Sequence, residues 1–240
     1  LRVSEAPRGL SLTTDAPDLP TDDRNLVLRA ARAVARVTGC RRGARFHLEK
    51  RIPAAAGLGG GSSDAAAALV LLDRLWHLNL GRARLFRLAA SIGADVPFFL
   101  RGGTALGRGR GDRLQPLKAA KRAIFLLVHG SAPISAKRAY SNYKRELTRS
   151  GPPPRIAALV PEGRLNMQII KEVDNQLEPG LLADFPDIAL RKKALLEQGA
   201  VTALLTGSGS TVFGVFDRLD VAGRARTRLS RRSFPVDLCQ

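Results

Sequence analysis

The stretch PAAAGLGGGSSDAAAAL, residues 53–69, decides how this 240-residue chain is read. Pro53 stops a run of alternating residues, a loop holding Gly57, Gly59, Gly60 and Gly61 follows, and a helix opens at Ser62-Ser63. Glycines let a backbone take positive φ and bring its N–H groups close to a ligand. The first turn of a helix adds unsatisfied N–H groups and the positive end of the macrodipole. Together these make an anion site that needs no lysine in the loop. The candidate phosphate-binding residues are therefore Pro53, Gly57, Leu58, Gly59, Gly60, Gly61, Ser62 and Ser63. No Gly-Lys-Ser/Thr follows the glycines, so this is not a Walker A loop, and a dinucleotide GxGxxG fails in register. The plainer alternative, a flexible turn that only caps a helix, is argued against by four glycines beside two serines. Asp64 has two readings. Either it points away as a capping-type residue, which is preferred, or a magnesium ion sits between it and the phosphates.

Working outward, Ala44 to Ile52 alternates like a strand, with Phe46 and Leu48 on one side. Residues 1–15 suggest a strand pair turning at Arg8-Gly9. The polar loop APDLPTDD (16–23) offers Asp22 or Asp23 as a cap for a helix from Asn25 to Val37. Downstream, Ser62 to Leu78 and Arg82 to Ser91 read as helices. Phe98 to Leu106 reads as extended, broken at Gly102-Gly103, and Ala123 to His129 as an apolar strand. A basic, turn-rich stretch at Lys118 to Arg122 marks a boundary between residues 1–120 and 121–240. Beyond it come helix Ala136 to Thr148, a linker GPPP (151–154) and helix Ile188 to Gln198. Strands Val201 to Leu205 and Thr211 to Phe216, helix Val221 to Arg231 and a short strand follow. The fold class is α+β, with a largely antiparallel sheet in the second half.

Composition sets bounds on this reading. About 45% of residues are apolar and 25% charged, ordinary for a globular chain. The longest apolar run, Ala65 to Leu72, is far short of the ~20 residues that cross a bilayer, so no membrane partner is expected. Cys40 and Cys239 are too few for a disulfide framework and lack metal-ligand spacing, which points to a reducing, cytoplasmic setting. His47, His77 and His129 share no ligand or triad spacing, so no metal ligands are assigned. The net charge is +18, and between Arg101 and Arg155 there are 13 basic residues against Asp112 and Glu146. Such a balance attracts polyanions. A solvated face of arginines is the simpler account, and few aromatics interleave to stack bases.

Three further places carry chemistry. Asp95 stands in GADVP (93–97), among small and apolar neighbours. Burial there would raise its pKa and a nearby cation would lower it, and a carboxylate so tuned can accept a proton from an alcohol. Its plainer reading is a turn aspartate. LLTGSGSTVFGVF (204–216) is a second glycine turn between strands, which alone reads as a hairpin. Tyr140, in ISAKRAYSNY (134–143), lies on an expected helix, where a core or surface tyrosine is the bland reading.

The motif PxxxGLGGGSSDA resembles the central ATP-binding motif of the GHMP kinases, a family that includes galactokinase and the homoserine, mevalonate and phosphomevalonate kinases. Its triple glycine and Ser-Ser-Asp ending resemble most the 4-diphosphocytidyl-2-C-methylerythritol kinases of non-mevalonate isoprenoid synthesis. DDRNLVLRAARAV (22–34), KRIP (50–53) and SIGADVPFFLRGGTALGRGRGD (91–112) are similar to further segments of that family. The resemblance implies a two-domain fold, with a ribosomal-protein-like α/β domain followed by a ferredoxin-like domain. It implies ATP with Mg²⁺ as cofactors and a CDP-linked methylerythritol alcohol as substrate. Asn25 would lie near the adenine, Lys50 would approach the nucleotide, and Asp95 would act as catalytic base and touch substrate. Tyr140 would stack on the cytosine, and Gly207, Ser208 and Gly209 would close on the phosphate loop or position the substrate. Asn175, in DNQLEP (174–179), matches a family position of structural character. Where the family carries threonine this chain has Ala136, which removes one hydrogen bond to substrate.

Members of this family begin with a lysine-bearing strand and a Gly-Tyr-His segment that grips the cytidine, and Leu1 aligns after both. The chain as written is therefore expected to bind ATP weakly and to transfer phosphate poorly. Two other functions compete with the leading one. Another GHMP kinase would act on a mevalonate-like or sugar alcohol. A basic RNA-binding module would show a steep salt slope, but it leaves the glycine loop without a task, so a nucleic-acid partner is disfavoured.

Overall fold

The computed structural model describes residues 1–118, 123–147, 163, 166–232 and 234–239. The GPPP linker at 151–154 and most of the basic boundary stretch lie outside them. The described chain forms two units, Leu1–Ala54 with Gly59–Pro116, and Ala55–Leu58 with Leu117–Gln240.

The first unit is organised by a strand with period-two burial. In β3 (Gly43–Leu48), Ala44, Phe46 and Leu48 are buried while Arg45 and His47 face solvent. This strand sits in the middle of a three-stranded sheet, antiparallel to β1 (Arg2–Ala6) and parallel to β2 (Leu10–Thr14). The chain does turn at Gly9, with φ +76, but β1 and β2 do not pair with each other as the sequence suggests. Gly43 explains the difference. A Cβ there would lie 2.6 Å from the Arg8 carbonyl carbon and 2.7 Å from the Ala6 and Gly9 oxygens. Glycine alone lets β3 enter the slot between the two strands.

Helix α1 (Leu26–Thr38) buries Val27, Leu28, Ala30, Ala31 and Val34 and stops at Gly39, φ +69. Its cap is Asn25, not Asp22 or Asp23, because the Asn25 side chain accepts from the Val27 amide. Helix α2 (Gly60–Leu75) begins two residues earlier than the serines suggest and buries Ala65, Ala66, Ala68, Leu69 and Leu72 against α1. Helices α3 (Gly81–Ile92) and α4 (Val96–Arg101) complete the layer. Here the extended reading of Phe98 to Leu106 is corrected. VPFFLR has β-prone residues, yet Pro97 sits in the first helical turn, where its missing N–H costs nothing. Burial of Val96 and Pro97, with α4 packed on α2, outweighs local propensity, and Gly102 at φ +71 ends the helix. Only Thr104 onward is extended, as β4 (Thr104–Arg108) paired with β5 (Arg113–Leu117).

In the second unit β6 (Ile124–Val128) buries Ile124, Leu126 and Val128. The sheet order is β7 (Thr202–Leu205), β8 (Val212–Phe216), β6, β9 (Val236–Cys239), with every described pairing antiparallel. That order, central strands joined by crossovers, is the split β-α-β arrangement of ferredoxin-like domains. Helices α5 (Ala136–Leu147), α6 (Met167–Glu172) and α7 (Asp187–Glu197) lie between β6 and β7 in sequence, and α8 (Leu219–Arg231) precedes β9. Leu126, Leu181, Ile188, Leu195, Phe216 and Leu229 form the centre of its core. Among the described residues no helix is long and apolar enough to cross a membrane.

Candidate functional site: a glycine loop and its clamp

The start of α2 presents unpaired amides, an arrangement that can take an anion. Gly59 stands before it in the left-handed region, φ +67, and supplies no side-chain cap. The Ser63 amide donates to the Gly59 carbonyl at 2.9 Å, which leaves the amides of Gly60, Gly61 and Ser62 as the unpaired first-turn donors. Ser63 turns its hydroxyl back onto the Gly60 carbonyl, 3.0 Å away. Two of the glycines are there for room. A Cβ on Gly59 would lie 2.6 Å from the Phe99 ring, and one on Gly60 would lie 2.9 Å from both Lys50 Nζ and Ile52 Cγ2. Pro53 is exposed at the entry to the loop.

Lys50 and Asp64 meet beneath this turn, Nζ to Oδ2 at 2.5 Å, with side chains 7% and 18% exposed. Asp64 is therefore neither a cap nor a free ligand, because its position in the helix turns it toward Lys50. Among the described residues no group of three or more His, Cys, Asp or Glu could hold a metal ion. Asn25 is buried, with Nδ2 donating to the Pro20 carbonyl at 2.8 Å and Oδ1 accepting from the Val27 amide at 3.0 Å.

Asp95 is exposed, so the burial considered from its neighbours does not occur. It stands at the head of α4 with φ −84 and ψ −17 and makes no side-chain cap bond. Four residues on, Phe99 carries the ring that lies against Gly59, so Asp95 shares a helix face with the residue that abuts the glycine turn.

The middle of the loop, Ala55–Leu58, is grouped with the second unit, where it meets the second glycine turn. Thr206 Oγ1 donates to the Gly57 carbonyl at 3.0 Å, and the Thr211 amide donates to the Ala56 carbonyl at 3.2 Å. Gly57 has φ +75, and a Cβ on it would lie 2.0 Å from the Thr206 oxygen. Gly207 also approaches closely, its own Cβ position 3.0 Å from the Gly57 oxygen. The structure thus brings Gly57, Gly207 and Gly209 together. Ser208 lies at the tip of the turn. Leu58 is half-buried beside Gly57. Tyr140 lies on α5, 59% exposed.

Side chains from elsewhere in the second unit hold the second turn, and of these the sequence singled out only Asn175, by resemblance. Arg191, 3% exposed, donates from Nη1 to the Ser210 carbonyl at 2.7 Å and pairs with Asp187 at 2.7 Å. Burial pushes the Arg191 guanidinium below its ordinary pKa, and Asp187 opposes that shift. The Glu178 carboxylate, 7% exposed, accepts from the Leu205 amide at 3.1 Å and pairs with Lys192. Asn175 reaches the Leu205 and Gly207 carbonyls. His129 is not isolated either: it bridges Thr211 Oγ1 at 3.1 Å and Asp237 Oδ2 at 2.9 Å. Thr211 is fully buried, so this chain is an anchor and not a hydrolytic triad. Apart from Arg191 and Asp187, these partners lie 14 or more residues apart, and no spacing in the sequence betrays them.

Comparison with known proteins agrees with this geometry. Residues 25–103 match the GHMP kinases N terminal domain, and residues 152–236 match the GHMP kinases C terminal domain. A 4-diphosphocytidyl-2-C-methyl-D-erythritol kinase of Pelotomaculum thermopropionicum is 41% identical over 93% of this chain and 78% of its own length. One from Chlorobium phaeobacteroides is 38% identical over 95% and 78%. A crystal structure of 4-(cytidine 5'-diphospho)-2C-methyl-D-erythritol kinase superposes with a TM-score of 0.74 at 32% identity, covering 98% of this chain and 84% of that one. Homoserine kinase from Cytophaga hutchinsonii, 20% identical with a TM-score of 0.77 over 99% of this chain and 83% of its own, shares the fold. The glycine loop, the second glycine turn and these similarities lead to one conclusion: the chain belongs to the GHMP kinase family.

Proposed function

We propose that this protein uses ATP to phosphorylate the 2-hydroxyl of 4-diphosphocytidyl-2-C-methyl-D-erythritol, in the cytoplasm, as a step toward isoprenoid precursors. The observation that carries the reading is the Gly59–Ser63 turn, whose unpaired amides face no side-chain cap while Gly57 is locked from behind. Relatives named for this reaction, similar along nearly the whole chain, support the choice of acceptor.

In this reading residues 1–120 form the ATP-binding domain and residues 121–240 the C-terminal domain. The amides of Gly60, Gly61 and Ser62 hold the β- and γ-phosphates, and preorganised dipoles of this kind stabilise charge that builds on transfer. Lys50, fixed by Asp64, adds positive potential beneath the same turn. Asn25 borders the adenine through its remaining donor and lone pair. Asp95 accepts the proton of the attacking 2-hydroxyl, an exposed carboxylate that the incoming substrate covers. Tyr140 offers an open ring face to the cytosine. Gly207, Ser208 and Gly209 line the acceptor side. Magnesium would arrive on the nucleotide, held by phosphate and water, and would neutralise phosphate charge.

The test pairs isothermal titration of an ATP analogue with coupled ADP release, using the CDP-linked alcohol, mevalonate and homoserine as acceptors. Thermal shifts with the same ligands give a readout that does not depend on turnover. Weak stabilisation and slow ADP release, both specific to the CDP-linked alcohol, are expected. A response to mevalonate or homoserine and none to the CDP-linked compound would overturn the assignment.

A further inference from the structure

Asn175 sits where the second glycine turn begins, and every polar atom of its side chain is used. Nδ2 donates to the Leu205 carbonyl at 2.7 Å and to the Gly207 carbonyl at 2.8 Å. Oδ1 accepts from the Leu177 amide at 3.0 Å, an Asx-type turn that anchors the side chain to its own backbone. The two carbonyls it grips flank Thr206, the residue whose hydroxyl reaches Gly57. We propose that Asn175 is a positioning residue for nucleotide binding, setting Thr206 so that its hydroxyl holds Gly57 and with it the pose of the phosphate loop. This rests on the reading of that loop as the nucleotide phosphate site.

Other partners of the turn show why the effect is local. Glu178 holds the Leu205 amide, Arg191 holds the Ser210 carbonyl, and the Thr206 amide donates to Thr211 at 3.0 Å. With those bonds in place the turn keeps its fold when Asn175 is changed. What is lost is the bracket on either side of Thr206. Gly57 has no slack to absorb the change, because its backbone is already in contact with the Thr206 carbonyl at φ +75. Only a side chain with two N–H donors and one acceptor satisfies the three partners, and asparagine has that set. Aspartate has the same shape but no donors, and it would press a carboxylate against two carbonyl oxygens.

The test compares the 240-residue protein with Asn175→Asp, Asn175→Ala and Thr206→Val, by hydrogen exchange and by nucleotide titration. Exchange in the peptide spanning 54–63 is expected to rise about tenfold in all three variants, with β6 and β8 unchanged. Affinity for a non-hydrolysable ATP analogue should fall about tenfold and affinity for AMP hardly at all, because the loop meets the outer phosphates. Unchanged exchange in 54–63, or equal losses for AMP and the ATP analogue, would overturn the proposal. If the Asn175 variants loosen the whole sheet, Thr206→Val decides alone, since it cuts the same link from the other end. A wild-type protein that binds no nucleotide, yet whose loop responds to the three variants, would refute the phosphate-site reading and leave the relay standing.

Discussion

Lys50 Nζ lies 2.5 Å from Asp64 Oδ2 and packs under Gly60, so a buried ion pair underlies the first turn of α2. A pair of this kind does more to fix position than to add stability, and breaking it leaves one charge without a partner.

Lys50→Met should therefore destabilise the first unit by about 2–3 kcal/mol, discounted from the fully buried case because Asp64 keeps some contact with water. The double variant Lys50→Met with Asp64→Leu should recover most of that loss. Urea denaturation measures both, and additive losses in the double variant would contradict the coupling.

Gly57→Ala and Gly39→Ala form a matched pair. Both glycines have positive φ, +75 and +69, but only Gly57 has no space for a methyl group. Gly39→Ala should cost about 1 kcal/mol from backbone conformation alone. Gly57→Ala should cost roughly 3 kcal/mol or more and abolish binding of an ATP analogue. Equal thermal shifts for the two would show that the contact with Thr206 carries no weight.

Asp95→Asn should lower kcat by about 10²–10⁴-fold, the span for loss of a general base. Because Asp95 is exposed and makes no cap bond, melting temperature and ATP-analogue affinity should stay at wild-type values. Retained turnover would remove it from the chemistry.

Tyr140→Ala should raise KM for the CDP-linked acceptor about tenfold, within the ~1–3 kcal/mol of base stacking, and leave KM for ATP unchanged. Its exposure makes a stability loss unexpected. A matched rise in both KM values would argue for a defect in α5 and against stacking.

Asp220 supplies a pH test away from the site. Hydrogen bonding from Arg218, then from Arg224, pulls its pKa from 3.8 to about 2. A depressed carboxylate pKa adds stability above its unfolded value, and that stability disappears as pH falls through the folded one. The melting-temperature gap between wild type and Asp220→Asn should thus close between about pH 4 and pH 2, and should narrow with added salt. A gap that widens on acidification would reverse the sign.

What the sequence revealed and what it hid divide along sequence distance. Helix α1 was legible because apolar residues recur at helical spacing and Gly39 ends it, and α2 because a glycine run precedes it. The glycine turn before α2 was legible because it is local, with its unpaired amides and their freedom of approach supplied by adjacent residues. Helix α4 was misread because Phe98-Phe99 favours strand locally, while its fold is decided by packing on α2 and by room at Gly59. The Asn25 cap was hidden behind two nearer aspartates. Asn175 stood out only through the family resemblance, and Glu178, Arg191 and His129 carry no local mark, since each reaches backbone or side chains 19 or more residues away.

The slot that Gly43 opens has a consequence for how the chain reaches its native state. β1 and β2 are neighbours in sequence, yet neither gains a ladder until β3, synthesised more than thirty residues later, slides between them. In the second unit β6 must likewise wait for β8 and β9. Both sheets therefore close by insertion of a central strand or around one, a non-local topology that slows folding. Apolar edges stay open meanwhile, so nascent chains are most prone to aggregate before residue 48 has emerged and again before residue 239 has.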